Sequence, residues 1–251
     1  MPHLSLEDKL FFKRDGYLIK HEVLSEQQIT NALDALWTGI RADRHDPDTW
    51  VGAGPRSPVE PDHSALEATV TESPVFEIAE ELAGKGTLRP CGPEAALNYP
   101  KGSDDWSMPH VGHIDGYYMP SNGVPQGTVD RFMLAVTIYL SDVEHRGGSF
   151  MVWPGSHLTA MNYFKTHALL DIRESSPEGA FETGPGKEFN APAGSVCFWH
   201  GQLIHTGAPN AGASIRMGLI CRFRRWDVNE ILFETPDDVW EYWEPLKSLE
   251  D

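Results

Sequence analysis

The chain has 251 residues and a formal net charge of −17, from 20 Lys and Arg residues against 37 Asp and Glu residues. A chain of this length can bury a full core as one domain, so we expect a single domain over residues 1–251. A strongly negative surface repels nucleic acid and anionic lipid, which argues against both as partners. We interpret the short basic run of Arg222, Arg224 and Arg225 as a solvated strand end.

The chain carries three cysteines, Cys91, Cys197 and Cys221. Their odd number and wide spacing fit neither a disulfide framework nor a zinc knuckle, and they favour a reducing compartment. Residues 1–20 carry charges throughout and lack the apolar core of a signal peptide, and no run approaches the ~20 apolar residues that span a bilayer. We therefore expect a cytoplasmic protein without a membrane partner.

The first 85 residues predict a mainly helical flank. Apolar residues at helical spacing precede Gly16, a short β-prone run follows it, and Ser25 with Gln28 forms a capping box that opens a second helix. The segment Arg41–Ser64 is rich in Asp, Pro, Gly and Arg, which indicates an exposed loop or flap. A further short helix is predicted over Pro74–Leu82.

From Gly86 onward, short β-type runs alternate with Gly, Pro and Asn. This pattern is typical of a sandwich or jelly-roll barrel. We therefore predict an α+β fold with a mainly β core, a double-stranded β-helix of the jelly-roll or cupin-like type over residues 86–225, preceded by the N-terminal helices. A C-terminal helix over Pro236–Trp243 is predicted within residues 226–251. The predicted strands are Leu88–Cys91, Ala95–Tyr99, Val111–Asp115, Phe132–Leu140, Ser149–Trp153, Ser195–Trp199, Leu203–His205 and Ile215–Phe223.

The segment His113-Ile114-Asp115 is the sharpest local feature. Residues i and i+2 of a strand point to the same face, so an imidazole and a carboxylate approach one point. A second histidine facing them would complete a two-His-one-carboxylate triad, which holds Fe(II) by one face and leaves positions open for substrate and O₂. His205 is the best candidate for that histidine. Arg216 lies eleven residues further on and offers a planar cation suited to a carboxylate.

Several segments, taken together and in order, resemble the phytanoyl-CoA dioxygenase-like family of Fe(II)/2-oxoglutarate-dependent oxygenases. The resemblance covers most of the chain. The segments are Asp15–Ile19 with Val23–Ser25, Leu97–Pro100 leading to His113-Ile114-Asp115, Gly148–His157 (Gly-Ser-Phe-Met-Val-Trp-Pro-Gly-Ser-His), and His205–Asn210 (His-Thr-Gly-Ala-Pro-Asn) followed by Arg216.

The resemblance implies an oxygenase that uses Fe(II), 2-oxoglutarate as co-substrate and O₂, and that releases succinate and CO₂. Halogenating members of the family carry a small residue where this chain has Asp115, so hydroxylation or a related oxidation of a C–H bond is favoured. The implied iron ligands are His113, Asp115 and His205, and the implied residues of the 2-oxoglutarate pocket are Arg216, for the distal carboxylate, with Thr137 and Asn98 beside it.

His200 is the main rival of His205 as a ligand. We favour His205, because a ligand at His200 would leave the turn that follows His205 without a role. His200 is then expected to orient the metal site without binding the metal itself. Three aromatic residues are candidates for the substrate pocket, although aromatic residues in a barrel more often belong to the core. They are Tyr117, Tyr118 and Trp153.

Two other classes of function stay open at this point. A cupin-like metal enzyme that does not use 2-oxoglutarate could carry the same ligands, and a non-catalytic jelly-roll ligand-binding module would need no iron. We expect a small-molecule substrate, whereas the sequence does not determine the oligomeric state. The segments Arg41–Ser64 and Gly116–Thr128 are predicted to act as lids that exclude water.

Overall fold

The structure is a computed structural model that describes residues 2–54, 63–115, 132–167, 178–231, 234 and 236–250. Its centre consists of two antiparallel sheets, one of which is covered by helices. The helices are α1 (Leu6–Asp15), α2 (Glu26–Thr38), α3 (His63–Thr71), α4 (Val75–Ala83), α5 (Ser156–Phe164) and α6 (Glu244–Lys247). The strands are β1 (Tyr17–Lys20), β2 (Glu94–Asn98), β3 (Phe132–Tyr139), β4 (Phe150–Val152), β5 (Lys187–Phe189), β6 (Val196–His200), β7 (His205–Gly207) and β8 (Arg216–Arg224).

The larger sheet has the strand order β1-β6-β3-β8-β2, and every neighbouring pair is antiparallel. Both of its faces are buried, so alternate residues of one strand enter different cores. On β3, Leu134 and Val136 pack beneath the helices, whereas Ala135 and Tyr139 pack against the smaller sheet. The polar residue Thr137 therefore points between the two sheets.

The smaller sheet has the strand order β5-β4-β7. Its central strand alternates in the same way: Phe150 and Val152 join the core between the sheets, and Met151 and Trp153 join a separate core on the outer side. The space between the two sheets is thus lined by one face of each.

An isolated antiparallel bridge between His113 and His205 places the segment 111–115 beside β7. The smaller sheet is extended by this segment, and two antiparallel sheets stacked face to face form the barrel. The predicted α+β fold with a double-stranded β-helix core is confirmed.

The first two helices begin where their sequence signals predict. Ser5 caps α1 and Ser25 caps α2, and each hydroxyl accepts a hydrogen bond from a backbone N–H three residues further on. Gly16 ends α1 at a φ of +78°, a left-handed conformation that glycine adopts without strain. The chain then turns directly into β1. The helix predicted over Pro74–Leu82 is confirmed as α4.

Most of the β-type runs form strands as predicted. Three runs differ from the prediction, and one short strand lacks a sequence signal. Leu88–Cys91 and Val111–Asp115 each contribute a single bridge instead of a strand. Gly92 and Pro93 follow the first of these, and a proline cannot donate to a sheet ladder. The run Leu203–His205 is displaced, since β7 begins at its last residue. Two of the three residues of β5 are charged, so this strand has no apolar signal.

The C-terminal helix predicted over Pro236–Trp243 is wrong. The described residues of this segment form turns, and the short helix α6 follows them. Trp240 and Trp243 are nevertheless buried, because both rings pack against Phe12 of α1. Their burial comes from contacts with the helical layer and not from one face of a helix.

The predicted flap Arg41–Ser64 is irregular over residues 41–54, apart from a 3₁₀ turn at Pro47–Thr49. Residues 55–62 lie outside the described residues, as does the other predicted lid, Gly116–Thr128. The helix α3 begins inside the predicted flap, at His63. Over the described part of the chain, none of the helices has the length and apolar character that crossing a membrane requires.

Candidate metal centre

The three predicted metal ligands meet at one point. The backbones of His113 and His205 exchange hydrogen bonds of 2.9 and 3.0 Å, and their ring centroids are 4.5 Å apart. Asp115 places Oδ1 at 3.2 Å from Nε2 of His113 and at 3.5 Å from Nε2 of His205. The three ligand atoms all lie within 4.8 Å of one another, and they are the one such group that the described residues assemble.

His205 is held on all sides, whereas His113 is open to solvent. Nδ1 of His205 lies 3.0 Å from the carbonyl oxygen of Leu203, so a proton on Nδ1 leaves Nε2 free to bind a metal. The ring of His205 packs on Trp199 and Phe150, and its side chain is 5% exposed. The side chain of His113 is 44% exposed. His113 is therefore the more accessible of the two histidines.

Arg222 holds the carboxylate of the cluster from β8. Its Nε donates to Oδ2 of Asp115 at 2.6 Å, and its Nη1 donates to Oε2 of Glu94 at 3.3 Å. Burial acts to raise the pKa of Asp115, but hydrogen bonds from His113 and His205 and the charge of Arg222 hold that pKa far below its usual range. The carboxylate is therefore ionised, as a metal ligand must be.

The interpretation of Arg222 as part of a solvated strand end is wrong. Arg216 and Arg222 lie six residues apart on β8, and strand alternation directs both to the face between the two sheets. This even spacing was the signal in the sequence that could have placed Arg222 at the site.

Arg216 is a buried cation, and two of its nitrogens lack partners in the part of the chain that the structure describes. The residue is 8% exposed, and Nε and Nη1 have no hydrogen-bond partner among the described residues. Burial lowers the pKa of this guanidinium, and the proximity of Tyr139 opposes that shift. A Cβ on Gly218 would lie 3.4 Å from Nη1 and one on Gly207 would lie 3.8 Å from Nη2, so these glycines leave space beside the guanidinium. The site therefore fits the carboxylate of an incoming ligand.

Asn98 lies beside this space, Thr137 points between the same two sheets, and the polar atoms of both bind within the protein. Asn98 is paired with the first residue of β8. Its Nδ2 donates to the carbonyl oxygens of Gly148 and Ala208, at 3.2 and 2.8 Å. The hydroxyl of Thr137 accepts from Nε1 of Trp199 at 3.2 Å. Contact of either residue with a co-substrate stays a prediction.

Asn210, which the turn before β8 carries, is fully buried. Its Nδ2 donates to the carbonyl oxygens of Asn98 and Ser214, both at 2.8 Å, and its Oδ1 accepts from the backbone N–H of Gly212 at 2.9 Å. This side chain therefore ties the turn between β7 and β8 to β2, and it fixes the point at which β8 starts.

Trp153 is the one described residue among the three aromatic residues predicted for the substrate pocket, and it is not brought to the cluster. Trp153 is 2% exposed and packs with Met151 and Ile204 on the outer side of the smaller sheet, so the structure assigns it to the core. Strand alternation turns its side chain away from the space between the sheets. Tyr117 and Tyr118 lie outside the described residues.

His200 faces the other side of the larger sheet from the cluster. Its ring centroid lies 5.0 Å from that of Trp243 and 5.2 Å from that of His157, beneath the helical layer. Its Nδ1 accepts a hydrogen bond from the backbone N–H of Gln202. His200 thus neither joins His205 at the cluster nor orients it through a contact, because the sheet separates the two side chains.

A family model described as phytanoyl-CoA dioxygenase (PhyH) matches residues 12–218. The chain belongs to this family. Together with the His–Asp–His cluster, membership of the phytanoyl-CoA dioxygenase family makes the protein an Fe(II)- and 2-oxoglutarate-dependent oxygenase, with O₂ as the second co-substrate. A search of curated proteins finds no match.

Several solved structures share the fold. The carbocyclase SnoK from nogalamycin biosynthesis is 24% identical with a TM-score of 0.60, over 88% of this chain and 84% of that chain. The epimerase SnoN, solved with Fe³⁺, α-ketoglutarate and nogalamycin RO, is 21% identical with a TM-score of 0.57, over 87% of this chain and 82% of that chain. HygX from Streptomyces hygroscopicus, solved with nickel, 2-oxoglutarate and hygromycin B, is 15% identical with a TM-score of 0.52, over 88% of this chain and 86% of that chain. At these sequence identities, the similarity shows that this chain shares their fold.

Proposed function

We propose that His113, Asp115 and His205 bind Fe(II), that Arg216 binds the distal carboxylate of 2-oxoglutarate, and that the protein oxidises a C–H bond of a small molecule. The observation that carries this proposal is an assembled His–Asp–His cluster in the same barrel as a buried guanidinium, two nitrogens of which find no partner among residues that the structure describes. Bound iron, with 2-oxoglutarate and O₂, supplies the oxidant, while the co-substrate leaves as succinate and CO₂.

The protein holds its ligand atoms in place before a metal arrives. The Leu203 carbonyl orients His205, and Arg222 orients the carboxylate of Asp115 by holding Oδ2. Three protein ligands leave the other coordination positions of a metal for co-substrates. The exposure of His113 makes its side of the cluster the direction from which a substrate approaches.

A bound carboxylate would supply the hydrogen bonds that the buried guanidinium of Arg216 needs. Its guanidinium has already lost its water on folding, and Nε and Nη1 gain no protein hydrogen bond in return among the described residues. A buried polar group without a partner is costly, so a carboxylate that pairs with it relieves that cost as it binds. The planar fork of arginine matches a carboxylate in two-point contact.

The net charge and the related structures both support a small-molecule substrate. A net charge of −17 opposes a polyanion such as a CoA thioester. SnoN and HygX were solved with nogalamycin RO and hygromycin B, which supports a small natural-product-like substrate for this fold. We propose that the chain acts as one domain over residues 1–251, in the cytoplasm, without a nucleic-acid or membrane partner.

Hydroxylation or a related C–H oxidation is the favoured reaction. Halogenating members of the family have a small residue at the position of Asp115, so halogenation is disfavoured. SnoK is a carbocyclase and SnoN is an epimerase, so ring closure and epimerisation form the second candidate outcome.

The test is formation of succinate by protein loaded with Fe(II) without oxygen, then given 2-oxoglutarate, O₂ and a panel of small molecules. We expect a substrate-dependent rate that Asp115→Ala abolishes and that Asp104→Ala, at a fully exposed carboxylate, leaves unchanged. Full turnover by Asp115→Ala would remove the ligand assignment. Oxidation that does not need 2-oxoglutarate would favour the cupin-like metal enzyme, and a failure to bind iron would favour the ligand-binding module.

A further inference from the structure

Two thiols lie against each other on the helical side of the larger sheet. The Sγ atoms of Cys91 and Cys221 are 2.7 Å apart, and both cysteines are free. A disulfide bond is about 2.05 Å long, so little movement separates the two sulfurs from bonding distance. Cys221 is buried within β8, and Cys91 is partly buried just before β2.

The backbone on both sides of Cys91 is held to β8 or to Arg225, the residue that follows it. Glu94 pairs with Ile220 after it, and Leu88 pairs with Arg225 before it. The register of pairing changes by one residue between these two pairs. The short segment that contains Cys91 is therefore irregular, while the backbone before and after it is paired. The two sulfurs are therefore kept close by paired backbone rather than by a mobile loop.

The two thiols differ in reactivity in a way that suits a stepwise oxidation. The hydrogen bond from Cys221 lowers the pKa of Cys91, with a smaller contribution from the charges of Arg224 and Arg222. The same contact and burial raise the pKa of Cys221. Cys91, which is the more exposed, is therefore the thiol that becomes a nucleophile. Cys197 is fully buried, and burial raises its pKa.

We propose that Cys91 and Cys221 are an oxidation site that closes reversibly into an intrachain disulfide when the protein meets hydrogen peroxide. The Cys91 thiol loses its proton, the thiolate attacks one peroxide oxygen, and the O–O bond breaks. Cys91 becomes a sulfenic acid, and the hydroxide that leaves takes up the proton as water. Cys221 then attacks the sulfur of Cys91, the S–O bond breaks, and a second water leaves with the thiol proton. Two thiols are oxidised by two electrons, and one peroxide is reduced to two waters.

The position of the bond predicts its consequence. Cys221 belongs to the core beneath the helices, whereas Arg222, the next residue, points between the sheets to Asp115. The disulfide would form on the face opposite the metal cluster and would join residues 130 positions apart. A link across so long a segment restricts the unfolded chain, so we expect the oxidised protein to be more stable, with its metal site unchanged.

The experiment treats the full chain with hydrogen peroxide and counts thiols, with peptide mass mapping of the product. We expect the count to fall from three to one, a mapped Cys91–Cys221 link, and recovery of all three thiols with dithiothreitol. The matched control is Cys197→Ala, whose count should fall from two to none. Cys91→Ser, at the partly buried position, should keep both remaining thiols unlinked. Sulfinic or sulfonic acid without a link, or a link that includes Cys197, would overturn the proposal.

A second measurement tests the consequence. The thermal midpoint of the oxidised wild type should rise by roughly 5–10 °C and return on reduction. Iron affinity should be the same in the oxidised and reduced forms. Peroxide should leave the midpoint of Cys91→Ser unchanged. An oxidised wild type that melts at or below the reduced form, or that loses iron affinity, would show that the link distorts the sheet and would refute the predicted consequence.

Discussion

Among the described residues, two pairs of histidines lie close together in different surroundings. The ring centroids of His113 and His205 are 4.5 Å apart between the sheets, and those of His157 and His200 are 5.2 Å apart beneath the helical layer. Asp115 completes the first pair, whereas within the described residues no carboxylate completes the second as a metal-binding group. Proximity of two imidazoles is thus not enough to form a metal site.

The second pair is a packed element of the core. Both rings contact Trp240, and Nε2 of His157 lies 3.1 Å from the carbonyl oxygen of Lys13. Burial lowers the pKa of His157 to about 4, and burial together with His157 lowers the pKa of His200 well below its usual value. Burial also lowers the pKa of His205, but Asp115 opposes that shift. The carboxylate, and not the number of histidines, distinguishes the two pairs.

The largest effect is expected from breaking the first pair. His205→Ala should lower succinate formation by more than ~100-fold, because the loss of a direct ligand exceeds what the loss of an outer-shell partner costs. Iron binding, measured by titration without oxygen, should weaken in parallel. His200→Ala is the matched change in the second pair. It should lower the free energy of unfolding while the folded protein keeps its iron affinity, and the reverse result would exchange the roles of the two histidines.

Removal of the buried guanidinium should weaken the binding of 2-oxoglutarate and leave the binding of iron unchanged. Arg216→Met should raise the KM for 2-oxoglutarate by about 30-fold, which corresponds to ~2 kcal/mol for a lost buried charge pair. Iron affinity should not change. Without 2-oxoglutarate the variant should unfold at a higher temperature than the wild type, because a desolvated, unpaired charge is gone. The exposed Arg224→Met is the control, and an unchanged KM in Arg216→Met would place the carboxylate elsewhere.

Loss of the contact between Arg222 and Asp115 should have a smaller effect than loss of a metal ligand. Arg222→Leu should weaken iron binding by about 10-fold, because Asp115 loses the group that orients it. Glu94→Gln should change iron affinity by less than about threefold, since Glu94 is 80% exposed and exposed ion pairs contribute little. Equal weakening by the two changes would show that the exposed contact of Arg222 with Glu94 matters as much as its contact with Asp115.

The smallest effect concerns the second pair and pH. The unfolded chain takes up a proton at His157 below pH ~6.5, while the folded protein does not until pH ~4, so stability falls as the pH falls between these values. This one residue should cost about 1 kcal/mol by pH 5.5. His157→Gln keeps a hydrogen-bond donor and should make the fall of unfolding free energy with pH shallower, as followed by urea unfolding. A slope equal to that of the wild type would show that His157 does not titrate in this range.

Residues two apart on a strand were the most reliable guide to the site. The alternation of His113 and Asp115 predicted a shared face, and the structure has them on it. The same rule, applied to Arg216 and Arg222, would have placed both arginines between the sheets. It could not place Trp153, because both faces of the smaller sheet are buried, and apolar residues on β4 alternate between two cores without a change in polarity.

The sequence by itself determined the fold class, the capped N-terminal helices, the family and the order of the ligand residues along the chain, because these depend on local periodicity and on motif spacing. Only the tertiary structure decided which histidine faces the carboxylate, that Arg222 holds Asp115, and that Cys91 meets Cys221 across 130 residues. Each of these depends on the register between strands that are distant in sequence. A shift of one residue in that register would turn every side chain of a strand to the other face.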